Sequence, residues 1–155
     1  MTRRHVLTVP TQPAAVRVVR ETAEMTFAEW GIDAGHPAVG PALLILSELV
    51  TNSVRHAAAS SPSLTVTFAA DADALAFAVH DRHPHHPGVL AAAAGGSGGL
   101  AVIAEVMTAS GGTCVVRRDA DGGGKSVWIT LPLRPATAAR ATSATDTAKA
   151  TKATR

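Results

Sequence analysis

The amino-acid sequence predicts an α+β fold, a two-layer sandwich in which a mixed, largely antiparallel sheet carries helices on one face. Three observations lead there. Segments of strand-like alternation and of helical spacing follow one another as strand, helix, helix, strand, strand, long loop, helix, strand, strand. The later strands come in two pairs, and helices fall between the pairs rather than after every strand, which excludes a doubly wound parallel sheet. With 155 residues, 46% of them hydrophobic, the chain can build one compact domain with a real core and has little left for a second.

Residues 5–9 alternate polar and apolar side chains as a short strand does, and Pro10 and Pro13 end the run. Residues 14–30 form a helix on the spacing of Val16, Val19, Ala23, Thr26 and Trp30, with Gly31 placed to stop it. Pro37 stands where a second helix begins, and Val39, Leu43, Leu46, Val50, Val54 and Ala57 make its stripe. Ala42, Ile45 and Leu49 widen that stripe, so this helix is expected to be buried on more than one side. After the turn-prone Ser60-Ser61-Pro62, Leu64, Val66 and Phe68 alternate with Thr65 and Thr67; Leu75, Phe77 and Val79 then alternate with Ala76, Ala78 and His80. The link at Asp71-Ala72-Asp73 is short enough for a hairpin.

Residues 82–98 change character, with clustered His and Pro, then Ala, then Gly. A connection that long is usually functional or mobile. Leu100, Ile103, Ala104 and Met107 mark a short third helix, followed by strands at 113–118 and 126–131 around a turn at 119–124. Beyond Pro135 bulky apolar residues disappear, so the expected domain spans 1–134 and an Ala/Thr-rich basic tail at 135–155 is expected to be disordered.

The net charge of +2 owes much to that tail, which carries Arg140, Lys149, Lys152 and Arg155 against Asp146. Removing these from 14 basic and 12 acidic residues leaves 10 and 11, a near-neutral domain without the clustered cations of a nucleic-acid footprint. No specific nucleic-acid binding is expected. The single cysteine, Cys114, excludes an intramolecular disulfide and fits a reducing, cytoplasmic setting. Arg3-Arg4 superficially resembles an export signal, but Pro10, Gln12 and Pro13 interrupt any apolar region of signal length. No apolar run, the one at 42–46 included, comes near the roughly 20 residues that span a bilayer, so no membrane association is expected.

Within the second helix, Glu48, Asn52 and His56 recur at every fourth residue among apolar neighbours. Each step of four drifts only about 40° around a helix, so the three share a face. An amide oxygen and a carboxylate on that face suit a Mg²⁺ ion and a general base. The plain alternative is the solvent face of an amphipathic helix. Asp81 ends the strand that opens into the long loop, where its acceptor-only carboxylate suits an exocyclic amine or simply starts a turn. The glycines before Leu100 suit phosphate oxygens at a helix start, or a linker. Gly124-Lys125-Ser126 looks like the end of a P-loop, but Asp119 stands where its first glycine belongs and a strand follows. His80, His83, His85 and His86 are dense enough to attract transition metals, yet without a partner cysteine no zinc site is expected.

Taken in order, Glu48-x-x-x-Asn52-x-x-x-His56, Asp81, the glycines leading into Leu100, and Gly123-Gly124-Lys125-Ser126-Val127-Trp128 resemble the GHKL ATP-binding fold, also called the Bergerat fold. Within it, the chain is similar to the small bacterial anti-sigma-factor serine/threonine kinases, which carry a histidine kinase-like ATPase domain. The resemblance covers about residues 5–133. It implies ATP and Mg²⁺ as cofactors, with Asn52 as metal ligand and Glu48 as catalytic base or orienting group. It also implies Asp81 on the adenine amine with Ser126 nearby through water, backbone contacts to phosphate from Gly98, Gly99 and Leu100, and an ATP lid at 82–98. The implied partner is a sigma factor or an anti-sigma-factor antagonist, and the resemblance leaves room for a homodimer.

Two departures stand out. Asp81 is followed by Arg82, His83 and Pro84 where the family pattern is Asp-x-Gly-x-Gly, and Ser97 replaces the first glycine ahead of Gly98-Gly99-Leu100. They define the alternative reading, a nucleotide-sensing protein-binding module with weak or absent catalysis.

Overall fold

A computed structural model describes residues 1–84 and 99–134. The elements run β1 (Arg3–Pro10), α1 (Ala14–Glu29), α2 (Val39–Ala57), β2 (Ser63–Ala70), β3 (Ala74–Asp81), α3 (Gly99–Ser110), β4 (Thr113–Arg118) and β5 (Lys125–Pro132). The strands form one five-stranded sheet in the order β1-β2-β3-β5-β4. Every pairing in it is antiparallel, so the parallel component that a mixed sheet allows is not used. The expected tail at 135–155, Gly98 and most of the expected lid lie outside the described residues.

Strand alternation decides which face meets the helices. Leu64, Val66, Phe68 and Ala70 of β2, Leu75, Phe77 and Val79 of β3, and Val127, Ile129 and Leu131 of β5 are all buried. The intervening positions of β5 are half-buried. Against this face α2 lays Ala42, Ile45, Leu46, Leu49 and Val50, each at most 3% exposed, so the helix is covered on more than one side as its widened stripe requires. Phe27 of α1 meets Phe68 edge-on, centroids 5.8 Å apart. Gly31 closes α1 with φ +77°, the Gly31 N–H donating to Ala28 O and the Ile32 N–H to Phe27 O, a Schellman stop that only glycine adopts without strain.

The sheet pairing also explains where a site can form. Asp81, the last residue of β3, lies directly opposite Lys125, the first of β5. Each continues its strand's core-facing alternation one step past the apolar residues, so two charges enter the layer between sheet and helices at one end. Ser53 does the same on α2, where it follows Leu46, Leu49 and Val50 on the buried stripe.

Candidate functional site

Where these polar positions converge, a cavity of about 70 Å³ opens between α2, the ends of β3 and β5, and His83. Its walls are apolar on Leu49, Ala57, Val79 and Val127; Asn52, Ser53, His56, Asp81, His83 and Lys125 supply the polar lining. This is the composition of a small-molecule site, apolar walls with a few fixed polar contacts.

At the inner end Asp81 is 3% exposed and heavily engaged. Lys125 Nζ donates to Oδ1 at 2.7 Å, the His83 backbone N–H donates to Oδ1 at 3.1 Å, and Ser53 Oγ donates to Oδ2 at 2.7 Å. Lys125 Nζ also donates to the His83 carbonyl at 3.2 Å. The pair is buried on both sides, with 9% and 4% of the two side chains exposed. A buried ion pair of this kind persists because hydrogen bonds offset the desolvation of both charges.

Asn52 sits at the mouth of the same cavity. Its amide nitrogen is buried with no hydrogen-bond partner, and no described residue bonds its amide oxygen. A buried amide N–H left unpaired costs about 1–3 kcal/mol unless a ligand engages it. Glu48 lies four residues earlier on α2, about 6 Å along the helix axis. It is half-buried, does not line the cavity, and has no hydrogen bond or ion pair among the described residues. His56 is exposed at the cavity rim.

Just outside, Arg82 is clamped to the turn between β4 and β5. Its guanidinium donates to Asp119 Oδ2 at 2.6 Å and to Asp121 Oδ2 at 2.8 Å, while His80 Nε2 donates to Asp119 Oδ2 at 2.9 Å. The hydrogen bond from Arg82, then that from the Gly123 N–H, draws the Asp121 carboxyl down to about 2. The hydrogen bond from His80 lowers Asp119 most; burial opposes it, and the hydrogen bond from Arg82 lowers it further. This clamp fixes the segment that leaves Asp81.

The structure thus brings Asn52 and Asp81 to one cavity and sets Glu48 a turn away on the same helix. It does not bring Ser126 there. Lys125, Val127, Ile129 and Leu131 face the helices, which turns Ser126 to the opposite face of the sheet, level with His80 and Arg117. Lys125 fills the position beside Asp81 that was expected of Ser126. Gly99 and Leu100 open α3 as expected, and Gly98 lies outside the described residues. Ser53, Lys125 and the Arg82 clamp went unpredicted. The first two were within reach of the period-2 and 3.6 patterns; the clamp joins residues about forty apart and leaves no local signal.

The described side chains fit the implied Mg²⁺ and nucleotide: the Asn52 amide oxygen, which no described residue bonds, is a hard ligand, while its buried amide nitrogen is a donor left for another acceptor, and Mg²⁺ takes only one or two protein ligands beside phosphate and water. Among the described residues no cluster of three His, Cys, Asp or Glu could hold a metal alone. No described helix is long and apolar enough to cross a membrane.

The family model described as histidine kinase-, DNA gyrase B-, and HSP90-like ATPase matches residues 40–135. No curated protein matches the chain. Among solved structures it is similar to the RsbU and RsbW domains of Rv1364c from Mycobacterium tuberculosis, with 22% identity and a TM-score of 0.57 over 85% of this chain and 33% of that one. It is also similar to the histidine kinase domain of the blue-light activated histidine kinase EL346 from Erythrobacter litoralis, with 20% identity and a TM-score of 0.52 over 81% of this chain and 62% of that one. Both likenesses are of fold, and in each case the chain spans less than two thirds of the other's length.

Proposed function

The chain belongs to the histidine kinase-, DNA gyrase B-, and HSP90-like ATPase family, and we propose that it is an anti-sigma-factor-type serine/threonine protein kinase that binds Mg-ATP and phosphorylates an antagonist protein. The observation that carries this reading is the cavity that joins the unbonded amide of Asn52 to the buried carboxylate of Asp81. The resemblance of the Glu48-to-His56 segment to the small bacterial kinases supports it, as does the likeness of fold to a chain containing an RsbW domain.

In this reading Asp81 takes the exocyclic amine of adenine, the apolar walls cover the ring faces, and Asn52 holds the cation. Mg²⁺, when bound, supplies neutralisation of phosphate charge. Phosphoryl transfer depends mainly on positioning and electrostatics, so a sparse set of side chains suffices. Glu48 orients the incoming serine hydroxyl and accepts its proton; among the described residues its carboxylate has no partner to compete for it. The partners are regulatory proteins of sigma-factor control, and the role is in transcription regulation in the cytoplasm.

Incubation of the full chain with γ-labelled ATP, Mg²⁺ and a cognate antagonist tests this directly. Label should pass to a serine of the antagonist and fall at least a hundredfold in Glu48→Ala, whose ATP affinity stays near wild type. Nucleotide binding without transfer, unchanged in Glu48→Ala, refutes the kinase and leaves a nucleotide-sensing module.

A further inference from the structure

The hydrogen-bonding capacity left at the inner end of the cavity can be counted atom by atom. A carboxylate offers about four acceptor sites, two on each oxygen. On Asp81, Oδ1 is filled by Lys125 Nζ and the His83 N–H, and Oδ2 has accepted only Ser53 Oγ. One acceptor site remains on Oδ2. An ammonium brings about three N–H donors, and on Lys125 they meet only Asp81 Oδ1 and the His83 carbonyl. One donor remains as well. Nζ is 2.7 Å from Oδ1, and Oδ2 is the other oxygen of the same carboxylate, so the free donor and the free acceptor are separated by little more than one carboxylate's width, in a pocket that excludes most water.

That pair matches the Watson–Crick edge of adenine, where the N6 amine donates and the adjacent ring nitrogen N1 accepts. Guanine presents an acceptor, O6, followed by donors on N1 and N2, one donor more than the free acceptors here. We propose that Lys125 is a base-selecting residue, whose remaining N–H donates to N1 of an adenine whose N6 amine donates to Asp81 Oδ2. The inference rests on the ATP-binding reading above and names a residue beyond it. Lys125 then completes recognition of the base with a direct, charged donor, and its ion pair with Asp81 is part of the site rather than an obstacle in it.

Calorimetric titration of the full chain with Mg-ATP, Mg-GTP and the Mg²⁺ complex of 1-deaza-ATP, in which carbon replaces N1, tests this. A hydrogen bond to a charged, shielded donor is worth about tenfold or more in affinity, so wild type should bind ATP at least that much more tightly than either other nucleotide. Lys125→Met, or Lys125→Leu where that variant folds better, should bind ATP and 1-deaza-ATP alike. Equal affinities in wild type overturn the proposal without any variant being needed. So does a Lys125→Met protein that still discriminates, or one that binds ATP more tightly than wild type, which makes the lysine a plug. If ATP produces no binding in wild type or in either variant, the ATP-binding reading itself fails and this inference with it.

Discussion

Replacing Gly124 by alanine should damage both the fold and the nucleotide site. A Cβ at this position would lie 2.7 Å from the backbone carbonyl oxygen of Asp81 and 3.1 Å from Arg82 Cδ, and would collide with Asp119 Oδ2. The Asp119 and Arg82 atoms can swing aside, but the Asp81 carbonyl belongs to the β3 backbone, paired with β5 at Lys125. Relief requires the two strand ends to move apart by several tenths of an ångström, where Asp81 meets Lys125. Overpacking of this kind costs about 1–3 kcal/mol. For a domain this size that lowers Tm by on the order of 5–10 °C. Thermal melts followed by circular dichroism measure the first effect, and titration with Mg-ATP the second, which should be a loss of several-fold in affinity. Gly40 is the control: nothing lies within 4 Å of its added Cβ, so Gly40→Ala should be neutral or more stable by up to about 1 kcal/mol. A Gly124→Ala protein that melts and binds like wild type refutes the close approach of β5 to Asp81 on which the site geometry depends.

Further predictions follow from the same geometry. Ser53→Ala removes the donor to Asp81 Oδ2 and should cost about 1.5–3 kcal/mol in urea unfolding, the range for a hydrogen bond to a charged group. Carbon-detected NMR titration should place the Asp121 carboxyl midpoint at about 2, moving up toward 3.8 in Arg82→Ala. Because the folded value is depressed, the clamp's contribution is fully present above pH 3.8 and is lost as the pH falls through about 2, a loss that Arg82→Ala should not show. Burial raises the Cys114 thiol above its ordinary range, so at pH 8 iodoacetamide should alkylate it several-fold more slowly in the folded chain than in urea.

The helices and strands were readable because each buries one face, and burial writes its period into the sequence. The stripe from Val39 to Ala57 and the alternation around Phe68 and Phe77 needed no tertiary information. Asn52 was legible for a related reason: a polar residue at helical spacing among core positions has to be explained. Ser126 shows the limit. Ser126, which the resemblance sets near the base, stands one residue past Lys125 on β5, and a period of 2 turns that single step into the opposite face of the sheet. Counting back from Leu131, Ile129 and Val127 reaches Lys125 on the core face; only the opposing Asp81, 44 residues away in sequence, accounts for a charge there. The Arg82 clamp depends on how β3 and the β4–β5 turn meet in space, which no local pattern encodes.

The central claim is that Asn52 and Asp81 form two ends of one Mg-ATP site. Titration of wild type and Asn52→Ala with ATP, each with and without Mg²⁺, tests it most directly, since the unbonded Asn52 amide makes the substitution harmless to the fold. Wild type should bind ATP at least tenfold more tightly with Mg²⁺ than without, and Asn52→Ala, with a Tm no lower than wild type's, should lose that dependence. Equal binding by the two proteins, or no binding by wild type at any Mg²⁺ concentration, would contradict the account.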